Sequence, residues 1–302
     1  LLAQNGNTLQ FIGLNNQLNK TVTIAPEDYP AGAQMVFSDT RILLTNQAYL
    51  YEYENQFQLV NATIWDMDGK CLKQFPQATV SFTANGLQHN MPLPENAQPS
   101  YIKNIAPGQF CWLDDSRLAI CAQDCLLIYN IEKDTFFLVD DLRDWMSALD
   151  KESYPYYGIV ETSLTPYDGK LYYFAHKELG EANGSGSVWQ ADEQGSQVLF
   201  DGQTFNNFTM RDQYIALANI TDPKNPEDLF GYHVYYADLK DGKLQDLGDL
   251  PVAYGFPVDG HLLGMQSEIV EYSRPFILYC YDMQKKEMTS WAPNAEEKNK
   301  LF

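Results

Sequence analysis

Basic residues are scarce in this sequence: 20 Lys and Arg stand against 40 Asp and Glu, a formal net charge of −20. A surface of that sign repels phosphate backbones and anionic headgroups, which argues against nucleic acid and membrane surfaces as partners. No apolar run reaches the roughly 18–20 residues of a membrane helix, so no membrane insertion is expected. The opening Leu1-Leu-Ala-Gln-Asn-Gly has no basic region and no full apolar core, and no signal segment is read there. A start without Met, almost directly on a strand, suggests a trimmed mature or an engineered chain.

Catalytic signatures are also missing. There is no G-x-S-x-G, no GxGxxG and no P-loop, and Gly184-Ser-Gly-Ser187 is a flexible loop by composition. No catalytic residue is assigned. Five cysteines at 71, 111, 121, 125 and 280 are an odd count without regular spacing, which is no disulfide framework. Cys121 and Cys125 fit neither a CxxC redox pair nor a zinc knuckle. Cys111 and Cys121 fall on the two strands of one expected hairpin and could face each other there; buried free thiols are the expected state.

Histidine is rarer still: His89, His176, His233 and His261. His176 and His233 lie at the ends of strands in adjacent repeats, toward the same end, and an acid–base or metal role is conceivable for them. No third ligand accompanies them at suggestive spacing, and no metal site is assigned. Asp66-Met-Asp-Gly69 superficially resembles the start of a calcium loop. Position 77 is Gln and the flanks are strands, so the segment reads as a turn. No cofactor is expected, with a calcium ion held by loop aspartates as the open exception.

What the sequence does have is a repeat. An apolar or aromatic run ending in a polar turn returns six times, as in Ile64-Trp-Asp-Met-Asp-Gly-Lys70, Leu127-Ile-Tyr-Asn-Ile-Glu-Lys-Asp134 and Tyr235-Tyr-Ala-Asp-Leu-Lys-Asp-Gly-Lys243. Strand-built repetition at this spacing points to an all-β fold, a β-propeller of four-stranded antiparallel blades. Twenty Tyr and sixteen Phe favour sheet as well. Six blades are expected, with five or seven as alternatives. The chain reads as one domain over 1–302: a partial blade at 1–25, full blades at 34–76, 107–142, 157–202, 205–250 and 252–292, and loop insertions at 77–106 and 141–157.

Each repeat resolves into strand candidates A to D. The A–B and C–D turns are tight, as at Tyr167-Asp-Gly169 and Asp241-Gly-Lys243. The long connections, including 47–61, 141–158, 219–232 and 267–274, are B–C or D–A, and these emerge at the same end of a blade. Insertions gathered at one end of a repeat array commonly mark the binding face.

Those connections are rich in aromatics beside acids. Tyr51 and Tyr53 accompany Glu52 and Glu54; Trp145 follows Asp144; Tyr156 and Tyr157 close the same segment; Tyr232 follows Asp228; Tyr272 stands beside Glu271. These seven are the candidate binding residues, suited to sugar rings or a protein hot spot. The competing role for each is packing down its own loop. Residues 144–151 read as a short helix with an acidic start.

The repeats resemble those of TolB-like, WD40-like and other six-bladed bacterial propellers, through the strand-then-Asp/Asn-Gly-turn pattern from Leu9 to Trp291. They lack the paired Gly-His and Trp-Asp signatures of WD40 repeats, so no site residue is carried over. The resemblance implies a rigid platform for a partner, in a secreted or lipid-anchored protein of the cell envelope. The expected function is therefore a non-catalytic binding or scaffold propeller recognising a protein or glycan. The alternative is a propeller hydrolase or lyase acting on glycans or lactones through carboxylates and calcium. The early A-strand positions Met35, Gln109, Val160, Phe208 and Phe256 are apolar or neutral, which favours binding.

Overall fold

The computed structural model describes residues 2–5, 8–12, 19–24, 34–45, 47–50, 56–83, 86–90, 110–122, 125–141, 158–160, 163–176, 185–221, 231–250, 255–258, 260–267 and 276–292. All elements found there are strands and turns, arranged in six antiparallel sheets.

The first sheet runs β1 (Leu2–Asn5), β2 (Thr8–Ile12), β3 (Asn19–Thr23). The second holds β4 (Gln34–Phe37), β5 (Arg41–Thr45), β6 (Gln47–Leu50), β7 (Gln56–Asp66), β8 (Cys71–Thr83) and β9 (Gly86–Asn90), in the order β4-β5-β7-β8-β9 with β6 on β7. The third is the meander β10 (Phe110–Trp112), β11 (Arg117–Ala122), β12 (Cys125–Asn130), β13 (Thr135–Asp141). The fourth contains β14 (Gly158–Ile159), β15 (Thr165–Tyr167), β16 (Lys170–His176), β17 (Ser187–Asp192) and β18 (Gly195–Val198). The fifth runs β19 (Asn207–Arg211), β20 (Tyr214–Thr221), β21 (Gly231–Asp238), β22 (Lys243–Leu250). The sixth runs β23 (Phe256–Val258), β24 (His261–Ser267), β25 (Phe276–Asp282), β26 (Glu287–Trp291). Consecutive sheets built as up-and-down meanders in chain order are the blades of a β-propeller.

The chain divides into two compact units, Leu1–Leu171 with Gln190–Gln197, and Tyr172–Trp189 with Val198–Phe302. In the first unit the period of two along each strand explains how a blade holds its neighbours. On β5, Ile42 and Leu44 pack with Leu9, Val22, Ile24, Trp65 and Met67, facing the first sheet. Leu43, one residue out of phase, joins Ala62, Ile64 and Phe75 against Phe110, Leu127 and Tyr129 of the third sheet. Both faces of the second blade are thus covered, and every residue of β12 is buried. Tyr129 lies 4.3 Å from Phe136 and meets Phe75 edge-on at 5.3 Å between ring centroids. In the second unit Ala216, Ala218, Val234 and Leu250 of the fifth sheet pack on Leu262 and Tyr281 of the sixth. The opposite face of the sixth sheet carries Phe256, Leu263, Leu278 and Trp291, all exposed.

Several expectations are corrected here. The partial blade expected at 1–25 holds three strands, since Leu2–Asn5 pairs with β2. The segment at 77–106, read as a loop insertion, contains the end of β8 and all of β9. Proline normally ends a strand, yet the pairing continues past Pro76, with Ala62 facing Phe75 and Val60 facing Gln77. Likewise β6 and the start of β7 occupy the expected loop at 47–61. In the fourth sheet β14 and β15 are separate strands, and Ser163 N–H donates to the Val160 carbonyl (2.8 Å). Cys111 faces Ala119 and Cys121 faces Leu126, so the two thiols are not opposite each other. None of the five cysteines is joined in a disulfide. The expected helix at 144–151 lies outside the described residues.

Candidate functional site

Strand bounds separate the two ends of the blades. At the A–B and C–D end the connections are short: 113–116 before β11, 168–169 before β16, 131–134 before β13 and 193–194 before β18. At the other end, 142–157 joins β13 to β14, 222–230 joins β20 to β21, and 268–275 joins β24 to β25. The β11–β12 connection at 123–124 is a short exception.

Among the seven candidate binding residues, Tyr51, Tyr53, Trp145, Tyr156, Tyr157 and Tyr272 lie outside the described residues. Tyr232 stands on β21 opposite Leu250, half-buried, and packs against the Ala216–Val234–Leu262 cluster. Its ring therefore anchors the strand that leaves the 222–230 connection. His176 and His233 have separate partners. His176 is buried, with Nδ1 2.7 Å from the Ser185 carbonyl and its ring edge-on to Phe174. His233 sits between two carboxylates, with Nε2 2.8 Å from Asp246 and Nδ1 2.8 Å from Asp249.

The short-turn end of the first unit is organised by polar links between successive sheets. Lys20 of β3 pairs with Asp68 in the turn after β7 at 2.9 Å. Thr40 donates to Asp115 at 2.5 Å, and Lys73 of β8 pairs with Asp134 in the turn after β12 at 2.5 Å. Lys133 of that turn then pairs with Glu193 in the turn after β17. The same move recurs: a lysine on one repeat reaches an acid in the C–D turn of the next. The Asp66–Gly69 segment is a turn, its Asp66 Oδ1 accepting from the Asp68 and Lys70 N–H groups at 2.9 Å each.

Where the last of these links forms, the turns border an open cleft of about 340 Å³ lined by Ser116, Arg117, Asn130, Lys133, Asp192, Glu193 and Gln194. Its walls are held by local turn chemistry. Asp114 Oδ1 accepts from the Ser116 N–H (2.9 Å) and hydroxyl (3.0 Å). Its Oδ2 accepts from Arg117 Nε (2.7 Å) and Nη2 (2.5 Å). Asn130 caps its own turn, accepting from Lys133 N–H (2.9 Å) and donating through Nδ2 to Glu193 Oε1 (2.5 Å). Gly169, in the turn before β16 at φ +67°, leaves room for the Arg117 guanidinium, since a Cβ there would stand 2.6 Å from Nη2.

Burial alone would raise the pKa of Asp114, but hydrogen bonds from Arg117 and Ser116 and the Arg117 charge outweigh it and hold the carboxyl below its ordinary value. Burial likewise opposes, and Lys133, Asn130 and the Arg117 charge override, a shift at Glu193, whose pKa is also lowered. Asp134 is lowered in the same way by Lys73 and Tyr129. Carboxylates held in the charged state bind and orient well and exchange protons poorly near neutral pH.

Sequence reading missed this cleft. Its residues sit in or beside the tight A–B and C–D turns, and Lys133 and Glu193 are 60 positions apart. The turn pattern Asn130-Ile-Glu-Lys133 was visible, but nothing local indicates what it faces.

No protein-family model matches the chain, and no curated protein matches it. Among solved structures it is similar to the β-propeller domain of the Trilobed protease from Pyrococcus furiosus, at 13% identity and TM-score 0.44 over 95% of this chain and 77% of that one. It is similar to TolB from Acinetobacter baumannii at 13% identity and TM-score 0.36, over 97% and 78%. It is similar to Porphyromonas gingivalis dipeptidyl peptidase 4 at 10% identity and TM-score 0.39, over 96% of this chain and 52% of that one. The resemblance to TolB-like and WD40-like propellers holds at the level of the fold, and the blade order and alternating burial described above carry that assignment.

Proposed function

We propose that this protein is a non-catalytic binding propeller that recognises a protein or glycan at the end of its blades where the B–C and D–A connections gather. The observation that carries this is the asymmetry of connection length. Two-residue turns such as 168–169 and 193–194 are A–B and C–D connections, and the longer 142–157 and 222–230 are D–A and B–C connections. A strand pairing tolerates a long connection at either end of its blade, so long connections at the B–C and D–A positions support that end of the blade as the one that varies for recognition. The acid-flanked aromatics of those connections supply flat apolar contact with hydrogen-bonding neighbours.

The test compares intact protein with a Tyr51→Ala, Tyr53→Ala, Tyr272→Ala variant in retention of partners from an envelope extract and on a glycan array. The envelope is chosen because the fold resemblance implies that compartment. A partner or glycan held by the intact form and lost by the variant supports the reading. Equal retention by both forms moves the recognition surface elsewhere.

A further inference from the structure

We propose that His233 is a pH-operated latch on the fifth sheet: as the imidazolium it holds both Asp246 and Asp249, and as the neutral ring it keeps Asp249 and lets Asp246 go. The geometry carries this. Nδ1 lies 2.8 Å from Asp249 Oδ1, and Nε2 lies 2.8 Å from Asp246 Oδ1. A carboxylate only accepts, so each ring nitrogen must donate, and an imidazole carries two N–H groups only when it is protonated. Asp246 is held ionised, its pKa lowered by the hydrogen bonds from His233 and from the Gly248 N–H. Loss of one ring proton therefore leaves a nitrogen lone pair facing a carboxylate at hydrogen-bond distance, a contact that repels. The His233 side chain is 30% exposed, so the proton exchanges directly with solvent.

Which contact fails follows from what else each carboxylate holds. Asp246 Oδ1 also accepts from the Gly248 N–H at 2.8 Å, so it keeps a donor without the imidazole. Asp249 has no second donor among the described residues, so the remaining proton stays on Nδ1. Releasing Asp246 frees the bulge it anchors, where Asp246 faces Tyr235, Gly248 faces Val234 and Leu247 is the extra residue. Leu247 packs at the edge of the Ala216–Val234–Leu262 cluster, which couples the proton to the packing of β22. Among the described residues, the charged groups facing the ring are Asp246 and Asp249, both on β22. From β20 the residue in register is the neutral Asn219. On β21 itself the Tyr235 ring lies 5.0 Å away, between centroids, and its far side meets Phe205. Burial and the Asp246 charge raise the Tyr235 pKa, so the phenol stays neutral while His233 titrates. The latch sits at the B–C and D–A end of its blade, since His233 is near the start of β21 (Gly231–Asp238) and Asp249 near the end of β22 (Lys243–Leu250). Its bearing on recognition there rests on the function proposed above, whereas its test involves no partner, so either can fail alone.

The experiment follows the imidazole nitrogens of the full chain by NMR after labelling its four histidines with nitrogen-15, with His233→Gln identifying the signals of His233. Both nitrogens should be protonated at low pH and convert, with a midpoint above about 6.5, to the tautomer that keeps the proton on Nδ1. Asp246→Asn should lower the midpoint and keep that tautomer, whereas Asp249→Asn should move the remaining proton to Nε2. Hydrogen exchange, expressed as protection factors to remove the intrinsic effect of pH, reads the bulge. Protection across 244–250 should fall about two- to fivefold through the midpoint in the parent, the worth of one exposed ion pair. In Asp246→Asn it should stay level. Thermal melts establish folding, and the tautomer of the parent decides the assignment even if Asp249→Asn does not fold. A neutral parent with its proton on Nε2, a midpoint at or below about 6.5, or unchanged protection through the midpoint overturns the proposal.

Discussion

Nδ1 of His233 lies 2.8 Å from Oδ1 of Asp249, its partner in register across β21 and β22. Asp246 reaches the other ring nitrogen because the register shifts between Val234 and Tyr235, making Leu247 an extra residue on β22. Gly248, at φ +76°, accommodates that bulge, and its N–H donates to Asp246 Oδ1 at 2.8 Å. Without the extra residue, positions 246 and 249 would point to opposite faces of the sheet.

This arrangement predicts a pH-dependent contribution to stability. Hydrogen bonds to Asp246 and Asp249, with their charges, raise the pKa of His233 above its ordinary value despite some desolvation. A group raised on folding stabilises fully below its unfolded pKa, about 6.5, and loses that contribution as pH rises through the higher folded value. The melting-temperature difference between the parent and His233→Gln should be largest below about pH 6.5 and shrink toward pH 8. A difference constant over that range would refute the clamp.

Glu193 predicts a graded response. Glu193→Ala leaves the Asn130 amide, 5% exposed, without its acceptor and should destabilise by about 1–3 kcal/mol in urea unfolding. Glu193→Gln keeps an acceptor and should lose less. Lys133→Ala removes an ion pair whose lysine is 57% exposed, and should cost under about 1 kcal/mol. If Lys133→Ala proves the more damaging, the link is chiefly ionic.

Gly169 and Arg117 should be coupled. Gly169→Ala places a side chain in the left-handed region and within 2.6 Å of the guanidinium, an expected loss of about 1–2 kcal/mol. With Arg117→Ala the steric part disappears, so the double variant should be more stable than the sum of the single losses. Strict additivity in a double-mutant cycle would show that Arg117 moves aside freely.

Cys111 should resist alkylation. Burial pushes its thiol up to about 12, leaving little thiolate at pH 8. Mass spectrometry after iodoacetamide treatment should find Cys111 unmodified in folded protein and modified in urea. Rapid labelling in the folded state would mean that the strand β10 edge opens.

Much of the fold was legible because strand alternation and turn residues are local signals. The tight Asp168-Gly169 turn falls where the sequence puts it, and the turn after β21 at 239–242 overlaps the expected Asp241-Gly-Lys243, with Lys243 already on β22. The blade bound at 76 is overrun because the β7–β8 pairing continues past Pro76. The candidate cleft was illegible, since its lining comes from three turns separated by long stretches of chain.

Sequence by itself determined the strands, the repeat and the excess of acid, because each depends on composition or on neighbours a few residues apart. Tertiary structure alone decided that Leu43 faces one sheet and Ile42 the other, that Lys133 meets Glu193, and that Asp246 joins Asp249 around one imidazole. Those pairings follow from register, bulges and the stacking of sheets within each unit, which no local pattern encodes.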